Sequence, residues 1–170
     1  MARQALRNHL ENREAIIADT RQDPELAEKR GCFVTLRKCG ALRGCIGTFE
    51  ADKPLFQNVM EIAVSAGFRD PRFPPLSREE LDIVRIEISV LGDLRKMNSP
   101  EELEIGRHGV YVRHGATSGT FLPEVAVEQG WSREEFIRCC AEEKARIPAA
   151  ELSRAEIFLY EVEKSAEGKD

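Results

Sequence analysis

Hydrophobic and polar residues alternate along part of this chain, and elsewhere hydrophobic residues recur every three or four positions. The alternation is clearest over residues 83–91, where Val84, Ile86, Ile88 and Val90 are separated by Arg85, Glu87 and Ser89. Successive side chains of a β-strand point to opposite faces, so we predict a strand with one buried and one solvated face. Spacings of three and four residues instead predict helices. These helices span residues 2–18, 54–67, 123–129 and 132–145.

Two pairs of short strand-forming segments flank turns that contain glycine. Residues 32–37 and 41–46 lie on either side of Gly40, and residues 109–113 and 119–122 form a second pair. Two apolar segments joined by a short turn with glycine are typical of a β-hairpin. We therefore predict two hairpins, each with antiparallel strands.

The ends of the predicted helices carry recognisable signals. Asp52 suits the N-cap of the second helix, Pro54 its first turn and Gly67 its end. A serine followed three residues later by glutamate predicts a capping box, in which each side chain binds the backbone N–H of the other residue. This pattern occurs at Ser77 with Glu80 and at Ser132 with Glu135.

A last strand is predicted over residues 155–162, where β-forming side chains are dense. Strands that come as hairpins with helices between them favour an α+β fold, with mostly antiparallel sheets flanked by helices in a two-lobed single domain. A length of 170 residues suits one such domain. We assign the domain to residues 1–164 and interpret residues 165–170 as a polar, frayed tail.

The charge balance bears on the kind of partner. Lys and Arg together number 25, Asp and Glu number 30, and the net charge is −5 with the two signs interspersed. Without a polybasic run, nucleic-acid binding is not expected. The first residues lack the apolar segment of a signal peptide, and no apolar run is long enough to cross a membrane. We expect a soluble, cytoplasmic protein.

The cysteines do not form a recognisable framework. They are Cys32, Cys39, Cys45, Cys139 and Cys140. An odd number without an export signal argues against structural disulfides, and no C-x-x-C motif occurs. The three histidines make no paired metal-binding motif. We predict reduced, mostly buried thiols and neither a metal nor a cofactor.

The segment Leu-Arg-Gly-Cys-Ile-Gly at residues 42–47 is the first candidate site. In a regular strand, Arg43 and Cys45 share one face. A guanidinium beside a thiol favours the thiolate, so one hypothesis makes Cys45 a nucleophile or redox group and Arg43 its partner or an anion clamp. The alternative is structural: the glycines form a tight bend, Cys45 is buried, and Arg43 pairs with an acid such as Asp70.

The second candidate is the loop that contains Arg69, Asp70 and Arg72. Two arginines around one carboxylate can bind a small anion through phosphate or carboxylate oxygens. The structural alternative is a salt-bridged loop that clamps the two expected lobes together. His108 is a candidate general base for Cys45 if the fold brings them together. Its alternative role is that of a hydrogen-bonded structural histidine.

Five sequence blocks in fixed order resemble the AMMECR domain family and cover roughly residues 5–163. The blocks are residues 42–47, 68–75, 86–91, 106–110 and 121–131. The resemblance implies a two-lobed α+β fold of layered sheets and helices. One departure is the sequence of residues 139–145, where relatives more often show a single cysteine and a glycine-containing helix end.

Within that family, the chain resembles the branch called AmmeMemoRadiSam system protein A. Proteins of this branch are encoded beside a Memo-like protein and a radical SAM enzyme, which are therefore the implied partners. The family has no established reaction, so the resemblance implies a fold and partners only. Two functional hypotheses follow: an accessory or interaction module of that system, or an enzyme that uses Cys45 with an arginine-rich anion-binding cleft.

Overall fold

The computed structural model describes residues 1–13, 23–49 and 51–167. The chain divides into two compact units, one formed by Met1–Leu91 with Glu163–Asp170 and the other by Gly92–Val162. The strands are β1 (Cys32–Lys38), β2 (Ala41–Thr48), β3 (Val84–Leu91), β4 (Arg95–Lys96), β5 (Gly109–His114), β6 (Thr117–Phe121), β7 (Glu156–Tyr160) and β8 (Val162–Ala166). The α-helices are α1 (Ala2–Leu10), α2 (Leu55–Phe68), α3 (Arg78–Leu81), α4 (Pro123–Gln129) and α5 (Arg133–Cys139). Short 3-10 helices span Pro24–Ala27, Pro100–Glu102 and Ala149–Arg154, and a π-helix spans Cys140–Lys144.

The sheet of the first unit has the strand order β2-β1-β3-β8, so β2 is an edge strand. β1 pairs antiparallel with both β2 and β3. The predicted first hairpin is confirmed, and its two-residue turn consists of Cys39 and Gly40. Both turn residues have positive φ, 50° and 82°, as a turn that matches the right-handed twist of paired strands requires.

The sheet of the second unit has the order β4-β7-β5-β6 and confirms the second hairpin, because β5 and β6 pair antiparallel. One face packs against α4 and α5 in a core that includes Val110, Val112 and Phe136. On the other face the ring of Tyr160 lies over Gly109, its cross-strand neighbour, which leaves no room for a Cβ there. The Tyr160 hydroxyl donates a hydrogen bond to a backbone carbonyl of β6 over 3.1 Å.

Two glycines allow helix α2 to pack closely against its neighbours, one against β2 and one against α1. A Cβ on Gly44 of β2 would overlap the carbonyl oxygen of Ala66, and a Cβ on Gly67 would lie 2.8 Å from a methyl group of Leu6 in α1. Glycine is therefore needed for close approach at both positions. The sequence predicts that α2 ends at Gly67, but the helix continues for one more residue, to Phe68. This packing fixes where the chain leaves α2 and enters the loop of the second candidate site.

Other helix ends also differ from the predictions. Helix α1 ends at Leu10 rather than continuing to residue 18, and Asn12 after it has a left-handed φ of 51°. Residues 14–18 of that prediction lie outside the described residues. Helix α2 starts at Leu55 with Pro54 as its extended N-cap residue, and the Leu55 N–H donates to the carbonyl of Glu28 instead of to an Asp52 cap. Both capping boxes are confirmed, and α4 ends at a left-handed Gly130.

The predicted two-faced character of β3 holds only in part. Ser89, expected on the solvated face, is buried, while Ile88 and Val90 are only partly buried. Alternation assigns residues to faces, but what covers each face is decided by the fold.

The C-terminal residues contribute to the first unit. Residues 165 and 166, interpreted from sequence as part of a tail, belong to β8, which lies beside β3. The Glu167 carboxylate accepts hydrogen bonds from Arg3 of α1 and, over 3.2 Å, from the backbone N–H of Ile86. Residues 168–170 lie outside the described residues. The expected α+β class, with antiparallel sheets flanked by helices, is confirmed.

Among the described residues, no helix combines the length and apolar character that crossing a membrane requires.

Candidate functional site

A β-bulge interrupts β2 at Arg43. Gly44 lies opposite Leu36 and Leu42 lies opposite Arg37, so Arg43 is the extra residue on its strand. A bulge redirects the side chains around it. Leu42 therefore shares a sheet face with Cys45, and the simple alternation predicted over residues 42–47 does not hold.

The side chain of Arg43 binds a carboxylate of α3. Its Nε and Nη2 donate to the two carboxylate oxygens of Glu80 over 2.9 and 2.7 Å. Lys38 and the Ser77 N–H donate to the same carboxylate over 3.0 and 3.2 Å. The hydrogen bonds from Arg43 are the main cause that lowers the pKa of Glu80 to about 2, although burial acts in the opposite direction. The acid that pairs with Arg43 is thus Glu80, not Asp70.

Asp70 and Arg72 instead hold the backbone of Cys45. The Cys45 N–H donates to Asp70 Oδ2 over 2.9 Å, and Arg72 Nη2 donates to the Cys45 carbonyl over 3.0 Å. Arg72 also donates to Asp70 from Nε and Nη2, over 2.9 and 2.7 Å. The outward N–H and C=O groups of an edge strand have no partner strand. At Cys45 this charged pair, which we call the Asp70–Arg72 clamp, takes that partner's place.

The electrostatics of the clamp follow from its burial. The Asp70 side chain is 2% exposed and accepts four hydrogen bonds from Cys45 and Arg72. The side-chain bonds from Arg72 are the largest cause that lowers the pKa of Asp70 to about 2, with the two backbone N–H groups contributing further and burial opposing. Asp70 is therefore ionised at neutral pH, and its lone pairs are occupied.

The thiol of Cys45 lies on the sheet face that points away from α2, and it is partly buried. The Thr35 hydroxyl, directly across the ladder, donates to Cys45 Sγ over 3.3 Å. Two residues along β2, the ring of Phe33 covers Gly47 and fills the space that a side chain would occupy. This face therefore presents one thiol between a hydroxyl and an aromatic ring.

The remaining candidate residues have different surroundings. Arg69 is exposed, and among the described residues its side chain makes no ion pair. His108 is buried in the second unit, where Nδ1 accepts a hydrogen bond from the Glu104 N–H over 3.0 Å, as expected for a structural histidine. Nε2 lies 3.9 Å from a carboxylate oxygen of Glu161. A catalytic pairing of His108 with Cys45 stays a prediction.

The other thiols are poor candidates for chemistry. Burial raises the pKa values of Cys32 and Cys140 to about 12, so neither is a thiolate at neutral pH. Cys39 is exposed at the hairpin turn, and all five cysteines are free. Within the described part of the chain, no cluster of three or more His, Cys, Asp or Glu residues could hold a metal ion.

Sequence patterns assign no role at this site to three residues: Glu80, Thr35 and Phe73. Glu80 is visible in sequence only as part of a capping box, and that signal says nothing of Arg43. Thr35 is a plain strand residue whose partner depends on register. Phe73 lies against both guanidinium groups, with its ring centroid 5.9 Å from Cζ of Arg43 and 5.6 Å from Cζ of Arg72.

Comparison with known proteins gives consistent matches. The family model described as AMMECR1 matches residues 1–165. Protein MK0488 of Methanopyrus kandleri is 46% identical over 146 residues, which cover 81% of this chain and 70% of that protein. Protein Mbar_A1807 of Methanosarcina barkeri is 40% identical over 143 residues, which cover 81% of this chain and 71% of its own length.

A solved structure agrees with the sequence matches. The crystal structure of the uncharacterized protein PH0010 from Pyrococcus horikoshii superposes with a TM-score of 0.90 at 34% identity and covers 98% of this chain and 87% of that one. The chain therefore belongs to the AMMECR1 family.

Proposed function

We propose that this protein is an interaction module without a reaction of its own, which works in the cytoplasm with a Memo-like protein and a radical SAM enzyme. The resemblance to the AmmeMemoRadiSam branch supports the choice of partners. One observation supports the lack of catalysis: Asp70, the carboxylate bonded to the Cys45 backbone, is buried and accepts four hydrogen bonds. A carboxylate with so low a pKa and no free lone pair is a poor general base at neutral pH.

The loop at residues 70–75 offers a surface for such contacts. Pro71, Arg72 and Pro74 are exposed, and Phe73 is partly exposed between them. Prolines limit the conformations that a loop loses on binding, and arginine and aromatic side chains are frequent in the energetic centres of protein interfaces. The Asp70–Arg72 clamp anchors this loop to β2, so a partner meets a preformed surface.

The proposal is tested by recovery of the partners on the purified, tagged chain. We expect the Memo-like and radical SAM proteins of the same genome to be retained, and Phe73→Ala to reduce their recovery. Val127→Ala is the matched control, because this side chain is 60% exposed in the second unit. The proposal is refuted if neither the Memo-like nor the radical SAM protein is retained, or if Phe73→Ala and Val127→Ala recover them equally well.

A thiol-dependent activity is the second candidate, because Cys45 receives a hydrogen bond from Thr35 and lies beside the half-exposed Arg72. A partly exposed thiol can be reached by an electrophile, as this candidate requires. This candidate requires Cys45 to react with iodoacetamide at pH 7 faster than the exposed Cys39, as followed by mass spectrometry of peptides. Slower modification of Cys45 than of Cys39 would remove the candidate.

A further inference from the structure

The guanidinium group of Arg43 is buried and incompletely bonded. The side chain is 9% exposed, and Nε and Nη2 donate to Glu80, with the Pro75 carbonyl 3.4 Å from Nη2. Nη1 is also buried, yet within the described part of the chain it has no hydrogen-bond acceptor. A buried donor without an acceptor carries a desolvation cost, so this nitrogen favours any acceptor that can reach it.

Among the residues that the structure describes, the two carboxylates bonded to Arg43 and Arg72 have no acceptor position left for Nη1. The two carboxylates are Asp70 and Glu80, and each already accepts four hydrogen bonds from its neighbours. The cations bonded to these two carboxylates are Lys38, Arg43 and Arg72, so the five bonded side chains carry three positive and two negative charges, a balance of +1. An acceptor supplied from outside is therefore favoured if it carries negative charge.

The ring of Phe73 lies against both guanidinium groups. Its ring is within 6 Å of the guanidinium carbon atoms of both Arg43 and Arg72. Arg72 resembles Arg43 in binding its carboxylate through Nε and Nη2, and its side chain is 50% exposed. The face of an aromatic ring attracts cations, but a charged oxygen that accepts N–H groups binds them more strongly. The ring itself is only partly buried.

We propose that Arg43 and Arg72 form an oxyanion-binding site and that the ring of Phe73 occupies it when no ligand is bound. The ligand is a small molecule, or a group on one, that carries a phosphate or carboxylate. Its oxygens accept hydrogen bonds from Nη1 of Arg43 and from the guanidinium of Arg72 as the ring moves aside. This site does not depend on the proposed partners, because the purified chain contains all of it.

The test is a calorimetric titration of the purified chain with inorganic phosphate at low ionic strength. Removal of the competing ring in Phe73→Ala should tighten phosphate binding about tenfold relative to the unmodified chain, since an aromatic contact to each guanidinium no longer has to be broken. Adding Arg43→Lys to that variant should abolish the gain, because lysine has no nitrogen that corresponds to Nη1 of arginine. The matched control is Arg37→Lys on the same sheet, which should leave the affinity unchanged.

Separate titrations with phosphate and acetate distinguish a phosphoryl ligand from a carboxylate, with sodium chloride added to equal ionic strength. Equal phosphate affinity of the unmodified chain and Phe73→Ala, or full affinity after Arg43→Lys, overturns the proposal. A second measurement applies if Arg43→Lys does not fold. In the unmodified chain, the ring-proton NMR signals of Phe73 should shift when phosphate is added, and unchanged signals at saturating phosphate overturn the site.

Discussion

Replacing Asp70 by asparagine removes the negative charge of the Asp70–Arg72 clamp and keeps its shape. The amide still has one oxygen that accepts, but its NH₂ group faces the donors on Cys45 and Arg72. The pKa of Asp70 falls from 3.8 to about 2 in the folded chain. At 1.36 kcal/mol per pKa unit this corresponds to about 2 kcal/mol of stability at neutral pH. The side chain is 2% exposed, so solvent screening reduces this figure little.

The pH dependence has a definite sign. Because the folded pKa lies below the unfolded one, the stabilisation is fully present above about pH 5 and is lost as the pH falls from about 4 to 2. The free energies of unfolding of the unmodified chain and of Asp70→Asn should therefore differ by about 2 kcal/mol at pH 7 and converge toward pH 2.

Urea unfolding followed by far-UV circular dichroism at pH 7, 5, 4 and 3 measures this difference. Tryptophan fluorescence is unsuitable, because Trp131 belongs to the second unit and Asp70 to the first. Glu61→Gln is the matched control: its carboxylate is 58% exposed and pairs with Lys53, so its loss should cost no more than about 0.5 kcal/mol. A difference for Asp70→Asn that stays constant from pH 7 to pH 3, or equals that of the control, would refute the reasoning.

Three further substitutions test other contacts by urea unfolding. Glu167→Gln should lower the free energy of unfolding by about 1 kcal/mol, because the partly buried Arg3 and the Ile86 N–H lose a charged acceptor that is itself 40% exposed. Glu163→Gln, 68% exposed, should change it little, and equal effects would contradict the role of Glu167. Gly44→Ala should lower the free energy of unfolding by about 1–3 kcal/mol or more, since its methyl group overlaps a carbonyl of α2. Gly40→Ala should lower it less, because the added methyl group meets no atom, although φ is 82° there. The reverse order would disprove this packing. Tyr160→Phe removes the hydroxyl that bonds a carbonyl of β6 and should cost about 1–2 kcal/mol, and unchanged stability would show that this bond contributes nothing.

The local features of the fold were predictable from sequence. The capping boxes at Ser77 and Ser132 involve residues three apart, and the turn at Gly40 needs only its own backbone preference. The end of a helix is less local: Gly67 carries the usual signal for an end, but the space beside Leu6 is its reason for being glycine.

The candidate site was predictable only as a set of residue types. Arg43, Cys45, Asp70 and Arg72 all lie in the first unit. Their pairing depends on one extra residue in β2 and on β2 being an edge strand, and alternation reveals neither. A strand at the centre of the sheet would not need the Asp70–Arg72 clamp.

The sequence by itself determined the fold class, the family and the residue types that surround Cys45. These follow from periodicity, from short-range capping and from blocks in a fixed order. Only the tertiary structure decided that Asp70 binds the Cys45 backbone across 25 residues and that Arg43 binds Glu80 across 37. The physical reason is that these bonds satisfy the Arg43 side chain at a bulge and the Cys45 backbone at a sheet edge. The bulge and the sheet edge exist only once the strands are paired.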